Sequence, residues 1–255
     1  RATVLVAGEP AGCSGKASAL ATGMERATDD VVVWTDDDVP REDGWLDRLV
    51  GRARETGVAT EVPAFVGDGL WRLFEPAVLL FGTTGVAAEN YVWGGGVAFD
   101  RTAFDEDAFL ADLRRTAGDD SLLSEYVDTD AIQADTDNVR QVHVDGSPRA
   151  VYHRLVRYAK TVAFFEPRST VAALVAYLVA LVATVAFPAG VATVTTLVGV
   201  VAYAWVDVRR SSVLLTFPSL LVTPPLLALG VAAPRFRWGG RTYRWWGKFD
   251  VTVER

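Results

Sequence analysis

An α/β domain followed by a transmembrane helical region is the fold class the sequence predicts, and three observations predict it. Residues 31–40 read VVVWTDDDVP, a β-branched run that ends in three carboxylates and then a proline. That is the pattern of a buried parallel strand (residues 31–34) delivering acids to the carboxyl edge of a sheet, where open α/β sheets bind ligands. Around it, short apolar runs alternate with segments of helical period. Finally, residues 170–187 and 189–206 are uncharged and apolar, each about long enough to cross ~30 Å of hydrocarbon.

Composition narrows the function classes. Half of the 255 residues are hydrophobic and the net charge is −7. The apolar excess lies after Ser169, and before that point the only lysines are Lys16 and Lys160. A surface dominated by Asp and Glu argues against nucleic acid as a partner and suits a salt-rich cytoplasm. Cys13 is the lone cysteine, which excludes a disulfide framework and a cysteine metal site; it reads as a small loop residue. The chain opens without methionine or signal peptide on an interior-looking strand, residues 2–7 (ATVLVA). An upstream strand and helix are therefore expected in a longer chain.

In order, residues 8–16 (GEPAGCSGK) form a Gly-rich loop before a helix over 17–26. A phosphate-binding P-loop is rejected on spacing, because Pro10 stands where glycine is required and Ala17 where Ser or Thr is. Lys16 is expected as a cation near the acidic strand end, against a solvated loop lysine. Asp36, Asp37 and Asp38 repel one another, so a hard divalent ion carrying phosphate oxygens is expected between them; the alternative is an acidic turn capping the helix that starts near Glu42. That helix, 44–55, places Trp45, Leu46, Leu49 and Val50 on one face. A strand follows over 57–64, and the interrupted apolar stretch 70–81 is expected in the core. Residues 91–99 (YVWGGGVAF) carry three glycines inside a strand-like run. These cost stability and require either close approach of a ligand or a bulge, and Trp93 beside them can stack on a sugar or line an acceptor pocket.

Residues 101–113 read as helical turns, and 117–126 place Asp119 and Asp120 at a helix start. There they either cap the helix or include a general base positioned by its dipole. Residues 127–146 read as a polar loop. Asp135-Thr-Asp137 mimics a metal motif, but no apolar strand precedes it, so it is expected to be solvated. In 151–160 (VYHRLVRYAK), Arg154 and Arg157 share one side of a helix with Tyr158 adjacent. Two such guanidiniums suit a diphosphate or anionic headgroups.

The apolar runs 170–187 and 189–206 form a transmembrane hairpin turned by Pro188 and Gly190. A third run, 213–231, carries Pro218, Pro224 and Pro225. Arg209 and Arg210 precede it, and Arg235, Arg237, Arg241, Arg244 and Lys248 follow it. Both flanks ask for the cytoplasmic side, so this run is expected to be re-entrant or interfacial and broken at its prolines.

Taken in order, these stretches resemble a membrane-bound glycosyltransferase of family 2. Thr35-Asp36-Asp37-Asp38 looks like the family's D-x-D, with Asp36 and Asp38 in the motif positions, and Gly118-Asp119-Asp120 resembles its E/D-D. Arg154-Leu-Val-Arg157-Tyr158 is similar to Q/R-x-x-R-W, with tyrosine for tryptophan. The GGVAF that begins at Gly95 and Gly96 looks like G-G-S-x-A-F, Gly15-Lys16 like the G-K step, and the tail WGGRTY (238–243) like W-R-G-R-x-Y. The combination is closest to the ceramide and hopanoid-lipid glucosyltransferase branch. No counterpart of the family's first strand and first uridine-binding aspartate is found.

The resemblance implies a GT-A domain over 1–168, incomplete at its N-terminus, a membrane region over 169–233 and a basic aromatic tail over 234–255. It implies an inverting hexosyl transfer from a nucleotide-diphospho-sugar, a uridine one first, to a lipid acceptor, by a multi-pass cell-membrane protein with its catalytic domain cytoplasmic. Asp120 would be the catalytic base. Asp36 and Asp38 would hold Mg²⁺ or Mn²⁺; Lys16, Asp36, Arg154 and Arg157 would bind the donor; Trp93, Gly95, Gly96, Asp119 and Tyr158 would face the acceptor. The alternatives are a processive polysaccharide synthase, for which two or three membrane segments provide little channel, and a non-catalytic membrane scaffold. A transporter is excluded by spans without ionisable residues.

Overall fold

The computed structural model describes residues 3–254. They fold as two compact units, one holding the chain up to Val62, Ala88–Asn138 and the chain from Pro234, the other Pro63–Ala87 and Val139–Ala233.

In the first unit, α1 (Gly15–Met24) starts where the Ser14 hydroxyl accepts the Ala17 N–H at 3.0 Å, and it buries Ala17, Ala21 and Met24. The strand expected over 2–7 is not formed: Ala2 lies outside the described residues, residues 3–7 are in no strand, and Val4 and Val6 are 89% exposed. An apolar β-branched run makes a strand only against a partner ladder, and none of the described residues provides one.

The sheet has the order β1-β3-β2-β4, from β1 (Val31–Thr35), β2 (Val58–Val66), β3 (Gly96–Asp100) and β4 (Ile132–His143). This corrects the expected interior parallel strand, because β1 is an edge strand antiparallel to β3, with Val33 opposite Ala98. The run VVVW is as well satisfied there. Val31 and Val33 pack with Leu49 and Ala53 of α2 (Trp45–Thr56). On the opposite face, as the two-residue period requires, Trp34 meets Phe99 edge-on at 5.2 Å and stacks on Phe109 of α5 (Glu106–Leu113) at 6.0 Å. Leu46, expected on the buried face of α2, points outward.

The expected loop over 127–146 is also corrected, since most of it is β4. Asp135 is buried there, with Arg52 of α2 at 2.8 Å. An edge strand with a solvated side tolerates many polar residues, which is why its sequence hid it. From Pro234 the chain forms a three-stranded antiparallel sheet of β5 (Phe236–Trp238), β6 (Arg241–Gly247) and β7 (Asp250–Glu254). Gly239 and Gly240, at φ 53° and 76°, are the two-residue hairpin loop that only such residues fill cheaply. Phe236, Tyr243, Trp245 and Val251 are its buried side chains.

The second unit is helical. α3 (Trp71–Val78) buries Trp71 and Phe74 against Val151 and Leu155 of α7 (Pro148–Phe165), as expected for a core segment. A π-helical turn (Leu79–Thr83) leads to α4 (Thr84–Ala87). α3 also carries Glu75, 1% exposed. A buried carboxylate must be paired, and this one has Arg210 Nε at 3.0 Å and the Gly67 N–H at 3.2 Å.

Among the described residues, three helical stretches are long and apolar enough to cross a membrane. They are α8 (Pro167–Ala186, mean hydropathy 2.2), α9 (Pro188–Trp205, 1.4) and the 22 residues of Ser211–Ala232 (1.8), a 3₁₀ turn running into α10 (Thr216–Ala232). No part of the apolar window of α8 is buried; a surface that apolar calls for lipid rather than water around it. α10 corrects the expectation of a break, being continuous through Pro224 and Pro225. Proline removes the donor to the carbonyl four residues back, and the Leu221 carbonyl freed by Pro225 accepts the Tyr177 hydroxyl of α8 at 3.1 Å. Gly230 lets α10 approach α7, where a Cβ would lie 3.0 Å from that of Ala159, and the Lys160 ammonium donates to the Val231 carbonyl at 2.8 Å, at the negative end of α10.

Candidate active site

Three chain segments meet within the first unit. The turn after β1 carries Asp36, Asp37 and Asp38; the turn before β3 is Trp93–Gly96; and α6 (Asp119–Tyr126) starts on the two aspartates. Lys16, in the first turn of α1, ties them together. Its Nζ donates to Asp36 Oδ1 at 2.7 Å and to the Gly94 carbonyl at 3.1 Å, and lies 3.3 Å from Asp119 Oδ2. Burial alone pushes this ammonium down, but Asp119, Asp36 and Asp120 outweigh it and the Lys16 pKa is raised above the ordinary lysine value. Lys16 is thus a cation near the acidic strand end, as expected, and not a solvated loop lysine.

The acids differ in setting. Asp119 is 3% exposed and its Oδ2 makes no hydrogen bond. Asp120 is half-buried one residue further on, its Oδ1 accepting the Ser121 N–H at 2.9 Å. Asp38 is exposed in the turn.

At the three glycines the protein's own side chains already approach the backbone closely. A Cβ on Gly94 would lie 2.9 Å from Asp119 Oδ2, and one on Gly95 would overlap the Trp93 ring and lie 2.6 Å from Asp36 Oδ2. One on Gly96 would overlap the Glu61 carboxylate. The protein's own side chains press on the backbone at each point. Trp93 is 6% exposed, with its N–H on the Thr60 hydroxyl at 2.9 Å.

One group escaped the sequence, and the tail motif over 238–243 had no role assigned to its residues. Arg41, in the loop after the acids, pairs with Glu61 of β2, donates to the Gly95 carbonyl and to Thr35 Oγ1 (2.9 Å), and lies over the rings of Trp45 (4.9 Å) and Trp93 (5.8 Å). The available signal was Glu61, an acid inside the apolar run VATEVPAFV. Tyr243 of β6 places its hydroxyl 3.1 Å from the Gly15 N–H, at the start of α1, and Arg241 reaches Glu9 at 3.2 Å.

Arg154, Arg157 and Tyr158 belong to the second unit, on α7. Arg154 lies over Trp71 at 5.7 Å with Nη1 3.5 Å from Tyr158 Oη, and Arg157 lies over the Tyr158 ring at 5.5 Å.

Among the described residues no three His, Cys, Asp or Glu side chains gather into a group that could hold a metal. Asp36 nevertheless keeps Oδ2 outside its bond to Lys16, and Asp38 adds a second hard carboxylate. Mg²⁺ is commonly held by one or two carboxylates plus substrate phosphates, so this donor set fits such an ion only together with a phosphate ligand.

A sequence model described as glycosyl transferase family 21 matches residues 1–243. No curated protein and no solved structure matches the chain. The match supports the membrane glycosyltransferase that the sequence resemblance implies.

Proposed function

From the premise that the chain belongs to glycosyl transferase family 21, we propose that it is an inverting hexosyltransferase moving a sugar from a nucleotide-diphospho-sugar, a uridine one first, to a membrane lipid. One observation supports this most: Lys16 draws the Asp36 turn, the Gly94 carbonyl and Asp119 to one point. Asp119 already has its charge opposed by that ammonium. Asp120, beside it and half-buried, is the better placed to take the proton of the acceptor hydroxyl as its oxygen attacks the anomeric carbon. Asp36 Oδ2 and Asp38 would hold Mg²⁺ or Mn²⁺. That ion, when bound, would neutralise charge building on the leaving diphosphate. Arg154 and Arg157 as phosphate partners rest on their motif and on the two guanidiniums that share α7 with Tyr158. The arginines flanking the apolar helices support a cytoplasmic side for the catalytic residues.

One observation favours a second reading, a non-catalytic scaffold: Lys16 neutralises two of the acids without any metal. Donor hydrolysis by the purified protein in detergent separates the two, using uridine and guanosine diphospho-sugars with and without Mn²⁺. Asp120→Asn is expected to lower transfer by ~10²–10⁴-fold while leaving donor binding nearly intact, and Asp38→Ala to weaken metal-dependent binding. Equal loss of binding and turnover in Asp120→Asn would sink the base assignment, and no hydrolysis by the wild type, with lipid extract added, would favour the scaffold.

A further inference from the structure

Arg41 has no role in the function proposed above, yet its side chain is only 11% exposed and its guanidinium is heavily used. Its donors go to Glu61, Thr35 Oγ1 and the Gly95 carbonyl, and tryptophans lie within cation–π range of it. The Gly95 carbonyl is the informative partner, because it also accepts the Asp36 N–H, at 3.1 Å. One oxygen therefore joins the acidic turn to the glycine turn, and Arg41 grips that oxygen. Thr35, immediately before Asp36, is held by the same guanidinium. Glu61 anchors the arginine from β2, and Gly96 leaves the space its carboxylate fills.

We infer that Arg41 is a positioning residue that sets the direction of the Asp36 carboxylate by clamping Thr35 on one side and the Gly95 carbonyl on the other. Only a planar fork reaches both while facing Glu61. A lysine keeps the charge opposite Glu61 and loses the clamp. The functional part of this inference rests on Asp36 serving the donor; the structural part does not.

The test uses the purified chain in detergent with Arg41→Lys, and Arg41→Ala/Glu61→Gln, which removes both charges and so avoids a stranded buried acid. Hydrogen exchange at the Asp36 amide is read first, then the Mn²⁺ concentration that gives half-maximal UDP binding. In both variants, Asp36 amide exchange is expected to rise about tenfold or more with α2 and α6 still protected, and the Mn²⁺ midpoint about tenfold, with metal-free UDP binding unchanged. Unchanged Asp36 exchange in a folded variant overturns the clamp, whatever the protein binds. Faster exchange with an unmoved Mn²⁺ midpoint overturns its role in positioning. Wild-type protein with no Mn²⁺-dependent UDP binding overturns the donor assignment, while the exchange data still decide the clamp.

Discussion

At the scale of single residues, the glycines divide into those that carry a neighbour's side chain and those that carry nothing. Gly96 has the Glu61 carboxylate against its Cα, whereas Gly51, inside α2, has open space around it. Gly96→Ala is therefore expected to cost about 1–3 kcal/mol, as overpacking does. Gly51→Ala is expected to add about 0.5–1 kcal/mol by restoring helix propensity. Urea unfolding of the two variants beside the wild type checks both, and a stabilising Gly96→Ala would count against the packing around Glu61. The same residues mark the limit of what the sequence discloses. That GGG needs close approach follows from its cost inside a strand-like run. That the approaching groups are Trp93, Asp36 and Glu61 is a matter of tertiary placement. Arg41 was illegible for a related reason: an arginine one step past a proline in an acidic loop looks like any surface cation until β2 brings Glu61 to it.

At the scale of elements, helices read well and strands less so. α2, α6, α7, α8 and α9 lie close to where periodicity and apolar runs put them. Direction and neighbourhood of strands are another matter, because VVVWT satisfies an edge strand with α2 on one face as fully as an interior parallel one. β4 failed for want of an apolar stripe, its polar residues being carried by a solvated side and by Arg52 on Asp135. In α10 the two prolines were expected to break the helix, and the partner that repairs it, Tyr177, lies on a different helix. Tyr177→Phe should thus remove the bond that replaces a lost helical one, at about 0.6 kcal/mol, the usual worth of a hydrogen bond between membrane helices. Thermal unfolding in detergent measures this, and an undiminished midpoint would mean that the Leu221 carbonyl is satisfied otherwise.

At the scale of the whole molecule, the tail decides how the chain can thread a bilayer. Residues 234–254 belong to the same compact unit as α1, and Tyr243 touches Gly15 across 228 positions of sequence. Everything between α6 and the tail, including the three apolar helices, is therefore expected to leave one side of a membrane and come back to it. Such a path makes an even number of crossings, and three helices give an odd one. α8 and α9, joined directly at Phe187 and Pro188, are the natural pair. α10 runs beside α7, which carries Arg154 and Arg157, and takes Lys160 at its C-terminal end, so it is the one expected to stay at the interface. With Cys13 replaced by alanine, cysteines at Arg209 and Gly239 should answer a membrane-impermeant maleimide from the same side, and one at Gly190 from the other. Opposite answers from Arg209 and Gly239 would mean that α10 crosses. The expected parity thus rests on the tail's place beside α1, where the Tyr243 hydroxyl accepts the Gly15 N–H.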